Sequence, residues 1–406
     1  MEKAIRDSSL KKEEYEWYMV SKLGFRNLDS VTKVINSLLY DASDKTELRY
    51  LAGKILSMNK EELILSGLKD QKKYDSLLED MERVKADDNI FLEYSRLADK
   101  GIEFIARFHD KYPDLLNQIY LPPVGLYVYG RSDCLLDFNK SFPRIAMVGA
   151  RNCTEYGKKI AFDLARDFTC RGNFVVSGMA VGIDKAAHEG ALSADGATIA
   201  VLGCGVDICY PRTNIGLYRD IAEEGVIISE YEAGTPAYKS NFPQRNRIIS
   251  GMCEATLVVE ARKRSGSLIT AADALNQDRL VCAVPGRIGD PLSEGCNELL
   301  LSGASPITKP KDLYDLFEIE LPKDLSLDLE KVKNNMDDSE ENITYENIFL
   351  ERQKNLVYSV VNLYPETLDS IIEKTGMDVA SVGMITALLL MEGKLKETSP
   401  NTYIRS

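Results

Sequence analysis

The residues of this 406-residue chain best suited to chemistry are arginines and small polar residues on glycine-rich turns. In VGARNCTEYGKK, Arg151 follows Gly149, and a helix expected to start near Thr154 would turn its first N–H groups toward an anion. A guanidinium at such a turn can clamp a phosphate bidentately; the plainer alternative is a glycine turn with a surface arginine. In VVSGMAVGIDKAAHEGAL, Ser177 and Gly178 close one apolar run, while Gly182 and Asp184 open a helix that Asp184 is placed to cap. His188 lies one turn beyond Asp184. No nucleophile is spaced to complete a triad with this pair, so a cap and a packed histidine are expected, not a catalytic dyad. In FPQRNRIISG, Arg245 and Arg247 flank Asn246. Further on, Arg262, Lys263 and Arg264 precede a turn, Ser265, Gly266 and Ser267, that opens another helix and can cap it.

These turns select a ligand class. A dinucleotide site needs GxGxxG after the first strand and an acid about twenty residues on. VGARNCTEYG lacks it, GCGVDICYPRTN has GxG without the third glycine, and there is no P-loop. Arginines spread over separate turns suit an extended polyanion better than one compact phosphate. Single-strand binders add aromatic platforms to such grooves. Phe242, Tyr210 and Tyr156 are the nearby aromatics, each equally able to be core, and Phe242 adjoins the arginine cluster.

The elements that must hold these turns are short runs, apolar throughout: 144–150, 174–179, 197–203, 225–230, 255–261 and 280–286, separated by amphipathic stretches such as 155–168 and 267–279. Continuous apolar runs suit strands covered on both faces, and alternation with helices predicts an extended Rossmann-like, doubly wound parallel sheet. Each candidate turn then falls at the carboxyl end of a strand, where open α/β sheets bind ligands.

Around this core, residues 1–100 read as an all-α domain, with Val31, Val34, Ile35 and Leu38 at helical spacing. The core is expected over 101–317. Residues 318–344 hold nine acidic and three basic side chains and read as a solvated linker. Residues 345–406 read as a winged helix of three helices and a hairpin, whose third helix, VASVGMITALLLME, stands where a recognition helix would but has no Arg or Lys, which favours packing or protein contact over DNA reading. The net charge of −13 argues against nucleic acid in bulk, but 140–317 is close to neutral, so the claim rests on a local groove. The eight cysteines form no CxxC pair and there are only two histidines; neither a metal site nor a disulfide framework is expected. No signal peptide or membrane-spanning run is seen, and a cytoplasmic location is expected.

The ordered series VGAR, VVSGMAVGID, AVLGCGVDICYP, SEY, FPQRNRIISG, VVEA, SGSLITAADAL, AVPG and GCNELLLSGA closely resembles the DprA/Smf family over about 101–317. The N-terminus resembles that family's sterile-alpha-motif-like domain and the C-terminus its winged helix, both less specifically. The resemblance implies a homodimer without catalytic activity or cofactor, which binds single-stranded DNA in a basic pocket and recruits the RecA recombinase in natural transformation. Carried onto this chain, the pocket uses Gly149, Arg151, Ser177, Gly178, Arg245, Asn246, Arg247, Ser265, Gly266 and Ser267. Where the family usually has Lys or Arg before the glycine of GID, this chain has Val181; Lys185, one turn on, is expected to replace the contact. Leu299, Leu300 and Leu301 are an apolar run open to dimerisation or to core burial. The competing readings are a Rossmann-like nucleotide or ribosyl hydrolase, with Glu230, Glu260 and Asp184 as its acids, and a nucleotide-sensing regulator.

Overall fold

A computed structural model describes residues 9–24, 27–39, 45–141, 143–194 and 196–317, and in the C-terminal part 354, 357–358, 360–361, 365–375, 377 and 379–405. The acidic segment 318–344 lies outside the described residues. The chain divides into two compact units, Met1–Leu321 and Pro322–Ser406.

Among the described residues six helices lie at the start of the first unit: α1 (Ser9–Ser21), α2 (Leu28–Leu38), α3 (Lys45–Ser57), α4 (Lys60–Leu65), α5 (Gln71–Ala86) and α6 (Asn89–Leu97). Val31, Val34 and Ile35 form the buried stripe expected of α2, whereas Leu38 is only half buried. Strands β1 (Ile102–Ala106) and β2 (Gly125–Gly130) follow, then α7 (Cys134–Lys140). Trp17 and Tyr18 of α1 share one hydrophobic cluster with Phe104 and Tyr127 of these strands, so the helices and the sheet are packed together.

The doubly wound part alternates β3 (Arg144–Val148), α8 (Glu155–Thr169), β4 (Phe174–Ser177), α9 (Ile183–Leu192), β5 (Thr198–Leu202), α10 (Ile215–Glu224), β6 (Val226–Ser229), α11 (Asn241–Gly251), β7 (Ala255–Val258), α12 (Gly266–Asn276), β8 (Leu280–Ala283), α13 (Glu294–Leu301), β9 (Ser305–Pro306) and α14 (Pro310–Asp315). All six apolar runs became strands, and β3 to β7 are buried at every position, as two-sided covering requires. The nine strands run β1-β2-β6-β5-β4-β3-β7-β8-β9. From β6 to β9 every pairing is parallel; β1 and β2 are antiparallel additions at one edge. The chain steps from β3 outward through β4 and β5, then returns to place β7 on the other side of β3. The topological switch point therefore lies between β3 and β7.

One sequence expectation changes here. FPQRNRIISG is not a turn but lies within helix α11. Residues two apart on a helix point in different directions, so Arg245 and Arg247 part company.

In the second unit, α15 (Leu368–Thr375) and α16 (Val379–Met391) pack on a small antiparallel sheet of β10 (Glu366–Thr367), β11 (Leu395–Ser399) and β12 (Thr402–Arg405), ordered β10-β12-β11. Val382, Ile385 and Leu389 join Leu395 and Tyr403 in its core. No described helix is long and apolar enough to cross a membrane.

Candidate nucleic-acid interface

The loops leaving the carboxyl ends of the parallel strands carry Arg151 after β3, Arg212 after β5, Lys239 after β6, Arg262, Lys263 and Arg264 after β7, and Arg287 after β8. All seven are exposed, and none forms an ion pair among the described residues. Four acids in or next to the same loops are paired, Glu230 with Arg247, Glu232 with Lys22, Asp207 with Lys100 and Glu155 with Lys158, whereas Asp290 after β8 accepts only from Leu292 N among the described residues. Basic residues near the amino edge are paired instead, Arg144 with Glu254 and Arg131 with Glu224. Seven cations without an ion pair among the described residues are therefore gathered on one side of the sheet, although Lys140, Arg219 and Arg279 elsewhere in the core also lack one.

A cavity of about 170 Å³ opens among these loops. Arg151, Val181, Tyr210, Phe242 and Arg245 line it, with Gly178 in the wall. The Arg151 guanidinium sits 5.7 Å from the centre of the Phe242 ring, and the Tyr210 and Phe242 rings lie 5.3 Å apart at 34°. Of the three aromatics singled out near the arginines, Tyr210 and Phe242 face the cavity; Tyr156 is exposed on α8 and does not line it.

Arg245 is 4 % exposed. It donates from Nη1 to the carbonyl of Gly178 at 2.9 Å and to that of Val201. Burial pulls its pKa down from the usual arginine range, and the nearby Asp184 carboxylate opposes that shift. Burial likewise raises the pKa of Asp184, against Arg245 and the backbone of Ala180 and Gly178. The helix cap expected of Asp184 is not made: the N-cap position of α9 is Gly182, at φ +85°, and the acid lies buried in the first turn. His188 is the packed histidine expected. Thr198 donates its hydroxyl proton to Val175 O, so Nδ1 of His188 is the donor to Thr198 Oγ1 at 2.9 Å. Burial first, and then Arg245, bring its pKa down to about 3.

Three glycines admit close packing. A Cβ at Gly149 would stand 2.6 Å from the Ile183 side chain, one at Gly178 would collide with the Arg245 guanidinium, and one at Gly182 with the carbonyls of Ala150 and Arg151. Gly149 is thus required by the approach of α9, with no ligand involved. Ser177 is fully buried and donates to Met147 O at 2.6 Å, tying β4 to β3. Arg247 reaches Glu230 on the far side of α11 and lines no part of the cavity. Lys185 pairs with Glu189 at 3.5 Å and is also absent from the lining, whereas Val181 is in it.

A second group lies at the start of α12. Ser265 caps it, accepting from Ser267 N at 3.4 Å, with its hydroxyl 2.8 Å from that of Ser267. Asn246 approaches Gly266 O at 3.4 Å, and nothing stands within 4 Å of a Cβ placed at Gly266. The first turn of α12 is therefore open next to the Arg262, Lys263 and Arg264 run. Arg212, Lys239 and Arg287 escaped the sequence reading; their position just after a strand's carboxyl end was the available signal. No cluster of three His, Cys, Asp or Glu suited to a metal occurs among the described residues.

A doubly wound sheet with unpaired cations and aromatics at its carboxyl edge defines an α/β protein of Rossmann-like topology with a candidate anion site there. Residues 103–318 match the family model described as DNA recombination-mediator protein A, and the chain belongs to that family. It is 43% identical over 209 residues to the DNA processing protein DprA of Streptococcus pneumoniae, covering 52% of this chain and 72% of that protein. It is 39% identical over 225 residues to the DprA of Bacillus subtilis, covering 55% and 73%. The X-ray structure of the S. pneumoniae protein superposes with a TM-score of 0.61 at 33% identity, over 76% of this chain and 98% of that one.

Proposed function

We propose that the protein binds single-stranded DNA along the carboxyl edge of its sheet, without catalysis, and hands the strand to the RecA recombinase in natural transformation. The observation that carries the reading is the set of seven exposed, unpaired cations strung along that edge beside an arginine–aromatic cavity. From β6 to β8 the edge crosses five inter-strand steps of about 4.8 Å, roughly 24 Å in all. That length suits several consecutive phosphates better than one nucleotide. Arg151, Phe242 and Arg245 form the cavity part of the site with Gly178; Asn246, Ser265, Gly266 and Ser267 supply backbone and side-chain donors at α12. Gly149, Ser177 and Arg247 act as supports, and Lys185 reaches the strand only by leaving Glu189. The family resemblance supports a cytoplasmic homodimer, with residues 1–100, 101–317 and 345–406 as its functional parts and 318–344 as their linker.

The acids a hydrolase would need are committed elsewhere: Glu230 to Arg247, Glu260 to the start of α8, and Asp184 to the buried Arg245 cluster. Gel shift with single-stranded against double-stranded DNA, run beside a nucleotide-hydrolysis assay, tests the reading. Preferential retention of the single strand with no turnover is expected; turnover of a nucleotide without strand binding overturns it.

A further inference from the structure

At the switch point of a doubly wound sheet, the N-terminus of the helix after the first strand is the usual seat of a nucleotide phosphate. In this protein that helix is α8, and the seat is filled from within. Glu260, the second residue after β7, is 6 % exposed and extends its carboxylate into the space. Oε2 accepts from Thr154 N at 2.8 Å and Oε1 from the Thr154 hydroxyl at 2.5 Å. Thr154 Oγ1 in turn accepts from Gly157 N at 2.9 Å, so Thr154 N, its hydroxyl and Gly157 N are joined to the carboxylate in one chain of hydrogen bonds. A Cβ at Gly157 would collide with the same carboxylate, which shows how closely it is seated. Through its own carbonyl, Glu260 also accepts from Ala150 N at 2.7 Å, fixing the turn that carries Arg151.

We infer that Glu260 is a specificity-determining and positioning residue: its carboxylate takes the place of a nucleotide phosphate, closes the seat to mononucleotides, and holds Arg151 out toward a strand passing over the edge. An anion arriving there would meet a buried negative charge, with Thr154 N, the Thr154 hydroxyl and Gly157 N already engaged. Polymer phosphates, by contrast, are met outside the seat by Arg151 and the cations after β7 and β8. The positioning half of this inference rests on the strand-binding reading above; the closed seat does not.

The test compares wild type with Glu260→Ala and Glu260→Gln at constant ionic strength. The melting temperature is followed against inorganic phosphate and ADP, and oligo-dT affinity by anisotropy. Wild type should show no phosphate- or ADP-dependent rise, and ADP should not displace oligo-dT. Glu260→Ala should gain a phosphate-dependent rise by binding the anion in the native state alone. It should lose about tenfold in oligo-dT affinity, partly restored by phosphate or acetate relative to chloride. Glu260→Gln, which keeps the volume and can still accept from Thr154 N, should stay within about threefold of wild type and gain no phosphate response. A wild-type response to ADP, or a Glu260→Ala protein that neither responds to phosphate nor folds in its presence, overturns the inference. Failure of wild type to bind oligo-dT would instead remove the strand-binding reading and leave the phosphate arm to judge the seat alone.

Discussion

Two arginines of the cavity are expected to part in their effects. Arg151 is exposed and unpaired, so Arg151→Ala should change stability by no more than about 0.5 kcal/mol. Arg245 is buried, satisfies two carbonyls and faces Asp184. Arg245→Met leaves those groups uncompensated and should cost on the order of 3–5 kcal/mol by urea unfolding. Equal effects of the two changes would contradict this division. His188 makes a separate expectation for pH. Its native pKa, about 3, lies below the ordinary 6.5, so between these values the unfolded chain binds more protons than the folded one. Stability should fall as pH drops from 6.5 toward 3. Asp184 works in the opposite sense: its raised native pKa means stability gained on acidification through its range and lost as pH rises through it. The urea midpoint of wild type relative to that of His188→Gln should therefore fall from pH 7 to pH 5, the contribution of Asp184 being common to both proteins.

At the scale of elements, the glycines divide by what surrounds them. Gly182→Ala meets both a positive φ and two carbonyls and should destabilise by roughly 1–3 kcal/mol. Gly266→Ala meets open space at the first position of α12 and should leave stability within about 1 kcal/mol, while lowering oligo-dT affinity if a phosphate approaches that backbone. Unfolding curves and anisotropy separate the two. The parallel strands were legible because buried two-sided strands leave continuous apolar runs; α8 was legible from its period and from Thr154, which does cap it. What the sequence could not show was direction. RNR reads as one basic cluster, yet on α11 Arg245 faces the cavity, Asn246 faces α12 and Arg247 faces Glu230. Glu260 likewise looked like a spare acid, because its hydrogen-bond partner lies 106 residues away. Burial of Ser177 is a tertiary fact of the same kind, whereas the pair of Lys185 with Glu189, four residues on in the same helix, was open to view in the sequence.

At the scale of the molecule, a net charge of −13 and a DNA-binding role are compatible because seven exposed cations without an ion pair among the described residues share one edge, where the local field and not the bulk charge meets a ligand. The second unit has its own hydrophobic core, so a chain ending at residue 321 should fold and keep oligo-dT affinity within about threefold, since no described cation of the edge lies beyond that point. The most direct measurement is the affinity for oligo-dT across a salt series, read by fluorescence anisotropy. Each phosphate contact on a single strand contributes about 0.7 to the slope of log K against log salt. Arg151→Ala should weaken binding and flatten the slope by about 0.7, and joint removal of Arg262, Lys263 and Arg264 should flatten it by about 2, while Arg131→Ala on the opposite edge changes neither. Slopes unchanged in both carboxyl-edge variants, or an equal loss on removing Arg131, would contradict binding at that edge.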